Sequence, residues 1–213
     1  MSYLIRKFMT QDREAVRHLS CETSFLELSR EQIFKDNEIL ADFLTLYFTD
    51  YEADSCFVAV DKGAVIGYLI GSKDVAMMNR VINIKIAPML IAKICRRGTL
   101  LHKTNIRFLF YLFLSFLKGE FSMQDFSKEF PAALHINIDK NYRNQGIGKK
   151  MVEAYLRFLK QSKVKGVHFS SFSENAKSFF LKMGFDIICK KKRSYMESYM
   201  GREVILYVFG ERL

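Results

Sequence analysis

The sequence predicts a mixed α/β domain: a central, mostly antiparallel sheet of about six to seven strands, flanked by helices and interrupted by a helical insertion. Three observations lead there. Short runs rich in β-branched residues alternate with segments of helical period. One of those runs is followed by a glycine loop that opens a helix. With 49% hydrophobic and 26% charged residues and only two prolines in 213, the composition is that of a packed chain rather than a disordered one. A single domain over residues 1–213 can bury its own core at that length.

In order along the chain, Tyr3 to Lys7 reads as a strand, and a helix starting near Thr10 places Ala15, Val16 and Leu19 on one side. Ser29 with Gln32 has the spacing of a capping box, so one or two helices should fill Ser29 to Asp50. Cys56–Val60 and Ala64–Ile70 flank Asp61-Lys62-Gly63, the pattern of a hairpin whose turn uses Gly63 at positive φ. Residues 74–130 then break the strand pattern. Pro88 should begin a helix that stops at Gly98, because proline lacks the donor a helix interior needs. A further helix should run from Thr99 to Lys118 and end at Gly119, with Arg107 to Leu117 apolar nearly all round. Such a helix demands burial on more than one side, and a homodimer interface would be easiest to build there.

From Pro131 the pattern is regular again. Leu134, Ile136 and Ile138 alternate with Ala133, His135 and Asn137 as a strand. After Lys140 to Gln145, a helix to about Gln161 carries Ile147, Met151, Val152, Tyr155, Phe158 and Leu159 on one side. Val167–Ser170 is a short strand, Glu174–Met183 a helix closed by Gly184, and Asp186–Lys191 and Val204–Val208 the closing strands.

Charge and cysteines limit the function classes. Cys21, Cys56, Cys95 and Cys189 are widely spaced, which excludes a disulfide framework and suits a reducing cytoplasm. His18 and Cys21 are the one close His/Cys pair, too little for a zinc site, and no metal is expected. Met1 to Met9 has no run suited to a signal peptide, and Phe108–Leu117 is about half the ~20 residues a membrane span requires. Of the net charge of +10, most sits between Asp74 and Lys118, where eight basic residues face Asp74 alone. A helix that packs its apolar side and solvates its lysines accounts for this; contact with a membrane surface is the less favoured alternative. No nucleic-acid partner is expected, because no aromatic-and-glycine binding pattern accompanies the charge.

The informative motif is Arg143-Asn144-Gln145-Gly146-Ile147-Gly148, between a predicted strand and a predicted helix. A helix start offers free backbone donors, and glycines remove the side chains that would keep phosphate oxygens away. A dinucleotide loop would want a small residue where Met151 stands, and a nucleotide P-loop Ser or Thr where Lys150 stands. The spacing Arg-x-x-Gly-x-Gly instead resembles the acetyl-coenzyme A signature of the GCN5-related N-acetyltransferases (GNAT). Asn175 to Phe185 resembles the same family's second signature, a helix ending in an aromatic, three residues and Gly-Phe. The resemblance is specific over Pro131–Asp186 and looser over Tyr3–Gly71, while residues 74–130 have no counterpart in the minimal family fold. Phe130 to Ile138 further resembles a subgroup related to acetyltransferase-like domains found with O-GlcNAc hydrolases, from which it departs at Ala133, where that subgroup usually has a second histidine.

The resemblance implies an acetyltransferase that takes acetyl-coenzyme A and an amine acceptor. It implies that the backbone of Ile136, Asn137 and Ile138 pairs with the pantetheine arm, that Arg143, Asn144, Gln145, Gly146, Ile147, Gly148 and Lys149 hold the pyrophosphate, and that Asn175 and Phe180 belong to the coenzyme side. Lys149, Lys150 and Lys182 could meet the remaining phosphate. By position, the Ile138 amide would be the oxyanion donor. The family's general acid is a tyrosine where this chain has Phe180; a thiol of pKa about 8.5 leaves near neutral pH with a deficit of only about 2 kcal/mol, and water or Tyr195 would substitute. His135 is the candidate base, with His168 and Glu174 as weaker ones. The alternative reading is a coenzyme-binding or interaction module that has lost transfer activity.

Overall fold

The computed structural model describes residues 3–25, 28 and 30–213. Its seven strands are β1 (Tyr3–Lys7), β2 (Phe57–Asp61), β3 (Ala64–Ser72), β4 (Ala132–Ile138), β5 (Gly166–Ser171), β6 (Asp186–Lys192) and β7 (Ile205–Arg212). They form one sheet in the order β1-β2-β3-β4-β5-β7-β6. Every neighbouring pair is antiparallel except β4 with β5.

The β2–β3 hairpin turns at Lys62 and Gly63, with φ of 48° and 86°. Two consecutive positive values suit the right-handed twist of the flanking strands. On one face of the sheet lie α1 (Arg13–Glu22) and α3 (Asn37–Asp50), with α2 (Arg30–Ile33) between them in sequence. Val16 and Leu19 of α1 pack there on Val58, Tyr68 and Ile70. Ser29, half of the expected capping box, lies outside the described residues; α3 is capped by Asp36, which accepts from the Ile39 amide at 3.3 Å. On the other face lie α7 (Ile147–Gln161) and α8 (Glu174–Lys182), whose Met151, Val152, Tyr155, Leu159 and Phe180 build the main core with Leu69, Leu134, Val167 and Phe209. Period-two strands and amphipathic helices thus meet as their sequences require.

The insertion holds α4 (Val75–Val81), α5 (Ala87–Arg97) and α6 (Lys103–Leu117). Here the structure corrects one expectation. Pro88 does not open a separate helix: Val75 to Arg97 is continuous, joined by a π-turn at Ile82–Ile86, and Pro88 sits just after it. Widening the helix by one residue is a known way to accommodate a missing or displaced backbone bond. The second correction is α9 (Ser194–Met200), a helix between β6 and β7 that the sequence reading lacked. Helix α6, expected to be covered by the domain, a second subunit or both, is covered by the domain on one side. Asn105 and Ser115 are buried, but Ile106, Leu109, Phe110, Phe113, Phe116 and Leu117 face solvent.

Candidate active site

Strand β4 separates two chemistries. It pairs with β3 from Ser72↔Ala133 to Gly67↔Ile138, yet meets β5 at only Ala132↔Val167 and Ala133↔His168. Beyond Ala133 the two strands part. The Asp139 amide donates to the Ile66 carbonyl at 2.9 Å, which sets the phase of the ladder. Asn137, His135 and Ala133 therefore turn their backbone groups toward β3, and Ile136 and Ile138 turn theirs into the opening. The Ile138 carbonyl there accepts from Arg143 Nε at 3.1 Å. Of the three residues expected to line the coenzyme arm by their backbone, Asn137 thus faces its own sheet.

The loop after β4 makes a short turn over Lys140–Tyr142, with Asn144 at φ 62° and Gly146 at φ 77°. Gly146 is the residue before α7 and no side chain caps that helix. The first intrahelical bond runs from Lys150 N–H to the Gly146 carbonyl, so the amides of Ile147, Gly148 and Lys149 point out of the helix start. A Cβ at Gly146 would meet nothing within 4 Å, and one at Gly148 would come no nearer than 3.6 Å to the Phe179 ring. The side chains of Arg143, Asn144, Gln145 and Lys149 are exposed around this opening, with Ile147 buried beneath it. Helix α8 differs: Ser173 caps it, accepting from the Ala176 amide at 3.2 Å, and Asn175 is exposed on its first turn. Lys149 leans toward Glu153 at 3.9 Å, and Lys150 Nζ lies 4.9 Å from the Tyr3 ring centre.

Across β4, His135 and Asn137 share a face with Tyr68 of β3. Asn137 Nδ2 stands 2.8 Å from the Tyr68 hydroxyl and 2.9 Å from His135 Nε2. An amide nitrogen only donates, so Nε2 is an acceptor and the ring proton sits on Nδ1. Burial pushes the imidazole down to about 4 and the Tyr68 hydroxyl well above its ordinary range. His135 is therefore neutral at neutral pH. Tyr68 was not among the residues singled out from sequence; only the β3–β4 register, Tyr68↔Asn137, brings it here.

The remaining candidates lie elsewhere. Phe180 is buried among Phe169, Phe179, Phe185 and Phe209, its ring 4.3 Å from that of Phe169. Tyr195, on α9, stacks on Phe121 and meets Phe108 edge-on, each at 6.0 Å, and burial raises its hydroxyl pKa. Both ring partners belong to the insertion, which thereby reaches the β6–β7 connection. His168 is held by the Phe130 carbonyl at 2.6 Å from Nδ1, and burial lowers its pKa. Glu174 accepts from the Tyr207 hydroxyl, which lowers its pKa, and pairs with Lys177 at 3.0 Å.

Comparison with known proteins bears on the fold. Residues 116–187 match the acetyltransferase (GNAT) domain family. No curated protein matches the sequence. The fold is that of solved acetyltransferases. The protein SsHAT superposes with a TM-score of 0.71 at 21% identity, over 100% of this chain and 98% of that one. Drosophila melanogaster polyamine N-acetyltransferase gives 0.62 at 14% identity with 100% of both chains covered. The ribosomal-protein-alanine N-acetyltransferase of Brucella melitensis gives 0.57 at 17% identity with 99% of both covered.

Proposed function

We propose that the protein is an N-acetyltransferase that carries an acetyl group from acetyl-coenzyme A to a primary amine. The parting of β4 from β5, next to an uncapped helix start, carries the reading. The Ile136 backbone groups and the Ile138 amide, which β5 leaves without a strand partner, can accept the amide-bearing arm of the coenzyme as a further strand would, with Arg143 releasing the Ile138 carbonyl. The outward amides of Ile147, Gly148 and Lys149, with the positive end of α7 behind them, suit a pyrophosphate. Arg143 and Lys149 add charge at the same place. The coenzyme supplies an activated thioester; the chain positions it and manages the protons. The amine nitrogen bonds to the thioester carbonyl carbon, the carbon–sulfur bond breaks, one amine proton goes to a base, and the departing sulfur is protonated.

Polyamine, agmatine and ribosomal-protein acceptors appear among the names of the structural relatives, and a primary amine is the chemistry they share. We assign the base to His135. Its Nε2 lone pair is engaged by Asn137, so Asn137 must release one hydrogen bond, a cost of about 1 kcal/mol. The Ile138 amide, turned into the opening, is the assigned oxyanion donor. With Phe180 sealed in the core and Tyr195 stacked on Phe121 and Phe108 of the insertion, the departing sulfur takes its proton from water.

Thermal denaturation with and without acetyl-coenzyme A tests the reading, since a ligand at 100 times its dissociation constant adds about 2.7 kcal/mol. Gly146→Asp meets no neighbouring atom, though the backbone there, at φ 77°, is strained for any side chain; it places a carboxylate on the helix start and can cap the amides itself, and its melt without ligand must stay near that of the unaltered chain. The variant is expected to lose the shift. An undiminished shift would place the coenzyme elsewhere. Retained binding with no thiol release across a broad amine panel would instead select the inactive module.

A further inference from the structure

We infer that the insertion is a docking surface that lays the protein flat on an anionic lipid membrane. From Val75 to Gly119 the chain has no Asp or Glu and eight Lys or Arg. Two of the eight are neutralised within the fold, Lys93 by Asp42 at 2.6 Å and Arg97 by Asp36 at 3.0 Å. Arg80, Lys85, Arg96, Lys103, Arg107 and Lys118 remain exposed. Among them α6 presents an outward stripe at helical spacing, Ile106, Leu109, Phe110, Phe113, Phe116 and Leu117; Phe113 is 56% exposed and Phe116 64%. Ile91, Leu100 and Leu101 add to the same insertion. A segment with an outward apolar stripe, six exposed cations and no acid of its own has the composition of a helix that lies in the lipid interface, its apolar side among the acyl chains and its cations among headgroup phosphates.

The geometry favours lying on the bilayer over crossing it. Val75–Arg97 is long and apolar enough to span. However, Ile86 and Leu90 are buried against Tyr47 of α3, and Ile94 of α5 and Phe108 of α6 pack on one cluster with Phe34 and Leu40. Both helices are fastened to the fold along one side. A second copy of the chain fits less well. Two α6 helices paired antiparallel through this stripe would set Lys103 and Arg107 of one beside Lys118 of the other, like charge against like. RNA would meet the cations and leave the phenylalanines in water.

Flotation of the full chain with phosphatidylcholine vesicles, with and without roughly 30% phosphatidylserine, tests the inference. The expected result is binding at least about tenfold tighter to the anionic vesicles. Arg80→Glu/Arg96→Glu/Lys103→Glu should weaken it by at least about a hundredfold, at about fivefold for each of the three basic residues lost from the surface. Phe113→Ser/Phe116→Ser should weaken it by at least about tenfold through lost apolar burial, with an unchanged circular-dichroism melt. Absence of binding to either vesicle overturns the proposal. So does a lipid-independent dimer that the phenylalanine pair abolishes, or tight RNA binding that the phenylalanine pair leaves intact.

Discussion

His135 combines a filled Nε2 acceptor with a depressed pKa, and the two together make a distinctive signature. Because burial holds the folded pKa at about 4, below the ordinary 6.5, the unfolded chain takes up a proton first as pH falls. Stability from this group is complete above about pH 6.5 and is lost on going down toward pH 4, on the order of 3 kcal/mol in all. His135→Gln keeps an acceptor for Asn137 without the titration, so its stability should fall less over that window, as urea unfolding at pH 7 and pH 5 would show. Its rate should drop by about 10²–10⁴-fold if the imidazole takes the amine proton. The wild-type pH profile should lack an acid limb near 6.5 and rise toward alkaline pH as the acceptor deprotonates. A limb near 6.5 that vanishes in the variant would show the ring to be solvated. A full rate in the variant would reduce His135 to a structural partner of Tyr68.

At the scale of elements, β3, β4 and α7 meet in a close junction. Tyr155 of α7 donates to the Ala133 carbonyl at 2.7 Å, spanning the sheet just where β4 is about to leave β5. Gly71 makes room for it: a Cβ there would lie 2.3 Å from the Tyr155 oxygen and 2.8 Å from the Ala133 carbonyl. Gly71→Ala should cost about 2–4 kcal/mol in denaturant unfolding, since neither the ring, fully buried, nor the strand can retreat. A loss under about 1 kcal/mol would mean the junction is looser than its packing. The sheet and the loop after β4 were legible because they depend on neighbours in sequence: alternation at Leu134–Ile138, helical period after Gly146, glycine at the turns. The π-turn before Pro88 was not, because its cause is a helix that tertiary contacts at Ile86 and Leu90 keep continuous. Nor was the environment of Tyr195, whose partners Phe108 and Phe121 come from a distant stretch of chain. Alternation placed His135 and Asn137 on one face, but the hydrogen bond between them that fills the Nε2 lone pair, and Tyr68 as Asn137's other acceptor, depend on side-chain geometry and the β3–β4 register and were not legible.

At the scale of the whole molecule, the insertion is wired into the domain through charge. Arg17 of α1, buried, pairs with Asp42 of α3 and with Glu38 at 2.8 Å; Asp42 also takes Lys93 of α5 at 2.6 Å. Burial pushes the Asp42 carboxyl up, but Lys93 and Arg17 outweigh it and hold it below the usual carboxylate range. Asp36 makes a second tie, capping α3 while binding Arg97 and, at 2.5 Å, the Thr99 hydroxyl. A membrane-facing insertion joined in this way transmits its orientation to the sheet rather than trailing from it. Removing Asp42 leaves Arg17 buried without its closest counter-charge, so Asp42→Ala should cost about 3–5 kcal/mol, far above the 0–1 kcal/mol of an exposed pair. Calorimetry distinguishes two forms of that loss. A single transition shifted to lower temperature is expected, because α1, α3 and α5 share the network and the cluster beneath it. Two separated transitions in the unaltered protein, the first confined to residues 74–130 by hydrogen exchange, would show instead that the insertion unfolds independently of the domain.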